Sequence, residues 1–362
     1  MAAEKDVQTA VVLQGGGALG AYEYGVLRAL YEQRPGFTPV AVTGVSIGAI
    51  TAAVLGGAKG DPIAALDELW RRRLALDAPG LPPVVDRSLS LLGNPGMYRL
   101  RPFPWLQTSI YDTAPLRATL ADLVDVGRLN GEAPRVAVGA TDVGTGEMQF
   151  FDRDHPGGLT FEHVVASGSL PPSFPATEVD GRHYWDGGLF SNTPLSPAID
   201  ALEQAAGGDP AVERELIVVE LFPMDAEVPR TLPDVLDRVF QLQYSSRLTL
   251  DAATFDRVSE LVDLVARVDA ALPPDSDVRD HPAWQRLRAH RRIDHLNVVT
   301  SSPPATESTT ADFSRDSIEA RIRAGYTDAL AQGIGSPRAP GLRFGTTGGG
   351  TVDGTAAVRS AS

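Results

Sequence analysis

Gly44-Val45-Ser46-Ile47-Gly48 is a G-x-S-x-G sequence set between an apolar run, Val40 to Val45, and a run of small residues, Ile47 to Leu55. A serine at a strand-to-helix turn is the arrangement of a nucleophile elbow. The turn presents the hydroxyl, and glycines two before and two after leave room for close packing around it. Upstream, Gly15-Gly16-Gly17-Ala18-Leu19-Gly20 separates a first apolar run from a first helical pattern. Read as Gly15-x-Gly17-x-x-Gly20, it fits a dinucleotide fingerprint, which also needs an Asp or Glu at the end of the second strand. That strand ends Thr43-Gly44-Val45-Ser46, so the loop reads better as backbone N–H donors at a helix N-terminus, the parts of an oxyanion hole. Adjacent parallel strands would bring both loops to one sheet edge.

A nucleophilic serine needs a base, and two candidates stay open at this level. A triad hydrolase would use a late histidine, but His281, His290 and His295 lie among charged residues, with no strand end or glycine loop beside them. The other histidines are His155, His163 and His183. Asp186 in Trp185-Asp186-Gly187-Gly188 follows a short strand, and the two glycines let its carboxylate approach another loop. Taken alone, such a DGG is more often a turn. The absence of cysteine removes disulfides, thiolate metal ligands and a Cys nucleophile together. No His/Asp/Glu group has ligand spacing, so neither metal nor cofactor is implied.

GGGALG, GVSIG and DGG in this order, with TDVGTGE at 141–147, ASGSLPPSFPATEVDG at 166–181 and LFSNTPL at 189–195, resemble the patatin-like phospholipases over roughly residues 8–223. The resemblance implies an α/β fold, a three-layer α/β/α sandwich on a mainly parallel central sheet. It implies Ser46 as nucleophile, Asp186 as its partner in a Ser/Asp dyad, and the amides of Gly15, Gly16 and Gly17 as the oxyanion hole, with no catalytic histidine. Gly20, Gly44, Gly48, Gly187 and Gly188 would support those motifs. Leu19 stands where the family often carries Arg or Lys, so the hole must rely on backbone donors. The implied activity is hydrolysis of lipid acyl esters, of phospholipase A, lysophospholipase or esterase type, through an acyl-enzyme. The implied partner is a lipid or acyl-ester substrate. Beyond about residue 224, LQYSSRLTL at 242–250 and FSRDSIEARIRAGYTDAL at 313–330 resemble only some bacterial members, which leaves substrate choice open. The competing readings are a Ser-His-Asp hydrolase and a non-catalytic binding or scaffold protein that keeps the fold.

The elements that must hold these residues are legible from hydrophobic spacing. Gln8 to Leu13 predicts a buried strand, Ala21 to Gln33 a helix with Ala21, Tyr24, Leu27 and Leu30 on one face, and Val40 to Val45 a second strand. Two buried strands joined by a helix predict a right-handed parallel crossover with helices on both sheet faces. Asp61 to Leu76 predicts a helix with Arg71 to Arg73 on a solvated face. Strands are expected at Arg135 to Thr141, Glu147 to Phe151, Glu178 to Tyr184 with a turn at Asp180-Gly181, Glu215 to Leu221 and His295 to Thr300. Thr231 to Val268 and Ser314 to Ala331 predict helices. Ala78 to Ser109 has no periodicity and scattered large apolar residues, the pattern of a substrate lid or of an irregular excursion packed on the core.

Composition bounds the function classes. The chain has 362 residues with 32 Lys+Arg against 46 Asp+Glu, a net charge of −14, which argues against nucleic-acid binding. At 43% hydrophobic and 22% charged it is an ordinary globular composition. Residues 1–332 are expected to form the catalytic domain. Residues 333–362, rich in glycine and poor in large apolar side chains, are expected as a disordered tail. MAAEKDVQTA lacks the basic start and apolar stretch of a secretory signal, so a cytoplasmic location is expected, with peripheral membrane contact open. Pro35 to Ala58 is uncharged but too rich in Gly, Ser and Thr for a membrane span. Arg286, Arg288, Arg291 and Arg292 could draw an acidic protein to a lipid surface, but Asp280 and Asp294 flank them and a salt-bridged surface is the expected reading.

Overall fold

The computed structural model describes residues 6–77, 85, 88–131, 134–205, 209, 211–245, 248–301, 310–334, 341–344 and 352–353. Its strands are β1 (Val7–Leu13), β2 (Ala41–Val45), β3 (Gly93–Asn94), β4 (Tyr98–Leu100), β5 (Tyr111–Asp112), β6 (Arg135–Asp142) and β7 (Met148–Phe151). They continue with β8 (Thr177–Val179), β9 (Arg182–Asp186), β10 (Glu213–Glu220), β11 (His295–Thr300), β12 (Gly341–Phe344) and β13 (Val352–Asp353). Ten of them form one sheet in the order β13-β12-β11-β10-β1-β2-β6-β9-β8, with β7 also paired to β6. Neighbours from β12 through to β6 are parallel, while β7 and β9 run antiparallel to β6.

Alternation along the strands builds two cores. On β1, Val11 and Leu13 face one side with Val42 of β2, and Ala10 and Val12 face the other with Ala41. Helix α1 (Ala21–Gln33), helix α2 (Ile47–Gly57) and the helix Arg315–Ala331 cover the first side. The helix Leu195–Gln204 covers the second through Ala198, Ala201 and Leu202. This is the expected three-layer sandwich. Helix α2 is buried on nearly every face, which its run of Gly and Ala permits, and Ile47, Ile50, Val54 and Leu55 each contribute about 1.5–3 kcal/mol on burial. At its end, a Cβ on Gly56 would collide with Val136 of β6. The stretch tested above for a membrane span is therefore β2 and α2, and no described helix is long and apolar enough to cross a membrane.

Glycines also fix where the C-terminal helix sits. A Cβ on Gly25 would strike the Ile322 carbonyl oxygen, and one on Gly325 the Tyr22 carbonyl oxygen. Backbones of α1 and Arg315–Ala331 thus touch at their crossing, and Tyr22 Oη donates to Asp328 (2.8 Å) across it.

Three expectations are modified. The helix from Asp61 is capped by the Asp61 side chain accepting from Ala64 N–H (2.8 Å), then widens at Glu68–Leu74 into a π-helix, with Arg71 paired to Asp67 and Glu319 and Arg73 to Glu68 and Asp122. Within 78–109, residues 78–84, 86 and 87 lie outside the described residues; beyond them, β3, β4 and β5 form a small antiparallel sheet. Of the stretch 333–362 expected as a tail, 341–344 is β12, which covers the otherwise open edge of β11, and 352–353 is β13, paired to β12; apart from 333 and 334, the rest lies outside the described residues.

Candidate active site

Ser46 closes β2 and opens α2 with φ 56° and ψ −121°, a conformation costing about 1–3 kcal/mol in a residue with a Cβ. The flanking glycines are needed for contact with backbone. A Cβ on Gly44 would overlap Gly48, and one on Gly48 would lie 2.5 Å from the Leu13 carbonyl oxygen of β1. The Ser46 N–H donates to Ser167 Oγ (3.0 Å), and Ser167 in turn donates to the Gly139 carbonyl on β6 (2.6 Å). The elbow is thereby tied to both neighbouring strands.

Asp186 ends β9, opposite Ala140 of β6. Its N–H donates to the Ser169 carbonyl (3.0 Å), its carbonyl accepts from Thr141 Oγ1 (3.0 Å), and its Oδ1 accepts from Gly188 N–H (2.8 Å). The carboxylate is buried, and the Ser46 side chain is one of two groups that favour its ionised form. Burial pushes it from 3.8 up to about 7, against the opposing pull of the Ser46 side chain and of the bond from Gly188 N–H. Its neighbours in sequence do not supply the apolar setting. Leu189 and Phe190 are in fact exposed, and Tyr244, which feels the Asp186 charge and would lie 3.1 Å from a Gly188 Cβ, closes this side. Gly187 is required because a Cβ there would strike the Gly139 carbonyl oxygen.

The glycine loop lies against the elbow: a Cβ on Gly15 would be 2.9 Å from Ser46 Cβ, and one on Gly20 would be 2.9 Å from Ile47. Its donors are not equivalent. The Gly15 N–H donates to Asn192 Oδ1 (3.0 Å), while Asn192 Nδ2 donates to the Gly15 carbonyl (3.0 Å) and the Tyr244 carbonyl (2.9 Å). The Ala18 N–H donates to the Thr310 carbonyl (2.8 Å). Gly15, expected as an oxyanion donor, is thus a clamped residue. The N–H groups of Gly16 and Gly17 have no partner among the described residues. Arg321, from the C-terminal helix, donates to the carbonyls of Asp312 (2.6 Å) and Ala18 (3.3 Å), so a cation reaches the loop despite Leu19.

Sequence reasoning missed Asn192 and Gln14. Gln14 Oε1 accepts from Leu221 N–H and its Nε2 donates to Thr193 Oγ1, both at 2.8 Å. The signal for Asn192 was its position in LFSNTPL, six residues past Asp186. Nothing marked Gln14 beyond a polar residue ending an apolar strand.

Ser46, Asp186 and the glycine loop line one cavity of about 180 Å³, walled by Tyr98, Tyr111, Phe174, Phe222, Phe240 and Tyr244. No histidine lines it among the described residues. His281 caps the helix Pro282–Ala289, His290 meets Glu203 (3.0 Å) and His295 meets Glu213 (2.8 Å). His155, His163 and Asp180 gather elsewhere with their ligand atoms within 4.8 Å of one another. The Nδ1 of His163 already accepts the Thr160 N–H (3.0 Å), which leaves the ring proton on Nε2 and suits metal ligation poorly. In the basic cluster, Arg292 pairs with Asp263 (2.7 Å) and Arg288 lies 3.8 Å from Asp269, the salt-bridged surface expected.

A family model described as patatin-like phospholipase matches residues 11–199, and a second, described as patatin phospholipase, matches residues 242–332. The family likeness therefore continues past residue 224, where the motifs alone thinned out. No curated protein matches the chain. Among solved structures, VipD from Legionella pneumophila is 15% identical at a TM-score of 0.41, over 90% of this chain and 66% of that one. A chain of the ExoU–SpcU complex of the Pseudomonas aeruginosa type III secretion system is 17% identical at a TM-score of 0.31, over 79% and 67%. This chain thus spans about two thirds of each. With its first family match covering more than half of its length, the chain belongs to the patatin-like phospholipase family.

Proposed function

We propose that this protein is a lipid acyl hydrolase that cleaves carboxylic esters through a Ser46/Asp186 dyad. The observation that carries the reading is that Ser46, on a strained turn, and a buried Asp186 line one aromatic-walled cavity, with the Ser46 side chain favouring the ionised form of that carboxylate. Asp186 takes the hydroxyl proton as Ser46 Oγ attacks the ester carbonyl, and the N–H groups of Gly16 and Gly17 hold the oxyanion. The tetrahedral intermediate expels the alcohol, which takes the proton from Asp186 and leaves an acyl-Ser46 ester. Water then adds to that ester, giving its proton to Asp186. The second collapse releases the carboxylic acid and returns the proton to Ser46. The base works ionised, so activity rises as pH climbs through about 7 and levels above it.

Intact-protein mass after fluorophosphonate treatment, beside hydrolysis of p-nitrophenyl esters of graded chain length, tests the reading on the parent, Ser46→Ala and Asp186→Asn. The expected result is a single adduct absent from Ser46→Ala, with little turnover in either variant. Full esterase activity in Ser46→Ala sinks the proposal. Parent-like activity in Asp186→Asn with an essential late histidine would turn it into a triad hydrolase, and no adduct on any form would favour a binding protein.

A further inference from the structure

We propose that the small sheet β3-β4-β5 is a docking surface for a lipid bilayer, with its outer turn inserted at the interface. This rests on the lipid-hydrolase reading for its purpose, but not for its evidence. The turn from β4 to β5 carries Phe103, Trp105 and Leu106 at 63%, 76% and 78% exposure. Phe103 holds a left-handed backbone (φ 52°), rare for a bulky side chain, and its ring meets Trp105 edge-on at 5.6 Å. Leu91, Leu92, Leu100 and Ile110 on the same small sheet and its approach are also exposed. Large apolar side chains gathered in one patch mark an interaction surface.

Two observations identify the occupant as lipid. Charge is the first. Arg99 pairs with Asp112 of β5 (2.7 Å), while Arg101 bonds the neutral Gln107 side chain and the Tyr111 carbonyl, so the turn from Arg101 to Tyr111 keeps a cation and no acid in a protein of net charge −14. A locally basic, Trp-bearing apolar surface is the composition that enters the headgroup region, which the acidic remainder would avoid. Continuity is the second. Leu91 is at once exposed and part of the cavity wall, Tyr111 Oη donates to its carbonyl (2.9 Å), and Tyr98 and Tyr111 of β4 and β5 line the cavity with it. A bilayer under this sheet would lie beside the opening through which an acyl chain reaches Ser46.

The test uses the full chain carrying Ser46→Ala, so that vesicles stay intact and binding is read apart from chemistry. Co-sedimentation with phosphatidylcholine vesicles, alone and mixed with phosphatidylglycerol, is compared with and without Phe103→Ser, Trp105→Ser and Leu106→Ser combined. The triple variant is expected to bind about tenfold or more weakly. With Ser46 restored, it should hydrolyse a short, water-soluble ester like the parent while losing activity on vesicles in step with binding. A parent that ignores vesicles, a triple variant that binds like the parent, or equal loss from Leu232→Ser with Leu236→Ser on another exposed apolar stripe would each overturn the proposal. So would a dimer that the triple variant turns to monomer without lipid, since the patch would then belong to a second copy. Failure of the hydrolase reading would appear separately, as absent turnover with vesicle binding intact.

Discussion

Asp186 should weaken the folded protein it serves, and by an amount that depends on pH. Its carboxyl titrates near 7 in the folded chain and near 3.8 when solvated, with burial the dominant cause. The folded state therefore favours the protonated form. The resulting stability is fully present below pH 3.8, declines between 3.8 and 7, and is gone above 7. A shift of 7 − 3.8 = 3.2 units corresponds to about 4 kcal/mol between those limits at 1.36 kcal/mol per unit. Asp186→Asn keeps the shape, an acceptor for Gly188 N–H and a donor toward Ser46, yet never ionises. Denaturant unfolding of both proteins at pH 5 and pH 8.5 should show the parent losing about 3 kcal/mol relative to the variant across that range. At pH 8.5 the inactive variant is then the more stable protein. An equal difference at both pH values, or a variant less stable at pH 8.5 than at pH 5 relative to the parent, would refute the desolvated carboxylate and with it the reason Asp186 can act as a base near neutrality.

Three further outcomes follow from the same geometry. Ser46→Gly should be more stable than Ser46→Ala by about 1 kcal/mol or more in denaturant unfolding, because only glycine is relaxed at φ 56°, ψ −121°; equal stability would mean that the elbow stores no strain. Asn192→Ala removes the clamp on Gly15 and should lower kcat by about tenfold to a hundredfold with little change in KM, since the loop's donors act on the transition state; a KM effect alone would confine Asn192 to substrate binding. Arg34 holds the buried Glu215 carboxylate with two bonds of 2.6 and 3.0 Å, so Arg34→Ala should cost about 3–5 kcal/mol, and adding Glu215→Gln should recover part of it. Thermal or denaturant unfolding of the single and double variants reads that difference.

What the sequence made legible was whatever local chemistry dictates. The strand, glycine loop and helix around Gly15 to Gly20, the elbow at Ser46 and the turn at Asp180-Gly181 each carry their conformation in their own residue types, and each stands where hydrophobic spacing set it. What escaped depends on partners far away in the chain. Gly15 looked like a free donor because nothing near it in sequence competes for its N–H; the competitor, Asn192, is 177 residues on. Nothing in the local sequence of Gly25 and Gly325 shows their partners, yet each is the only residue that fits where the two helices touch backbone to backbone. The strands β12 and β13 were hidden by glycine-rich composition, which measures how much apolar surface a segment can bury and says nothing of an open strand edge ready to pair with it. Those distant contacts also bear on the chemistry. Thr310 and Arg321 reach the glycine loop from beyond the motif-bearing half, and Tyr244 meets both Asn192 and the Asp186 side of the cavity. A fragment ending near residue 223 would keep Ser46, Asp186 and all the glycines while losing the groups that hold the loop and bury the carboxylate. Its Asp186 would then titrate nearer 3.8, and so poorly matched to the serine proton.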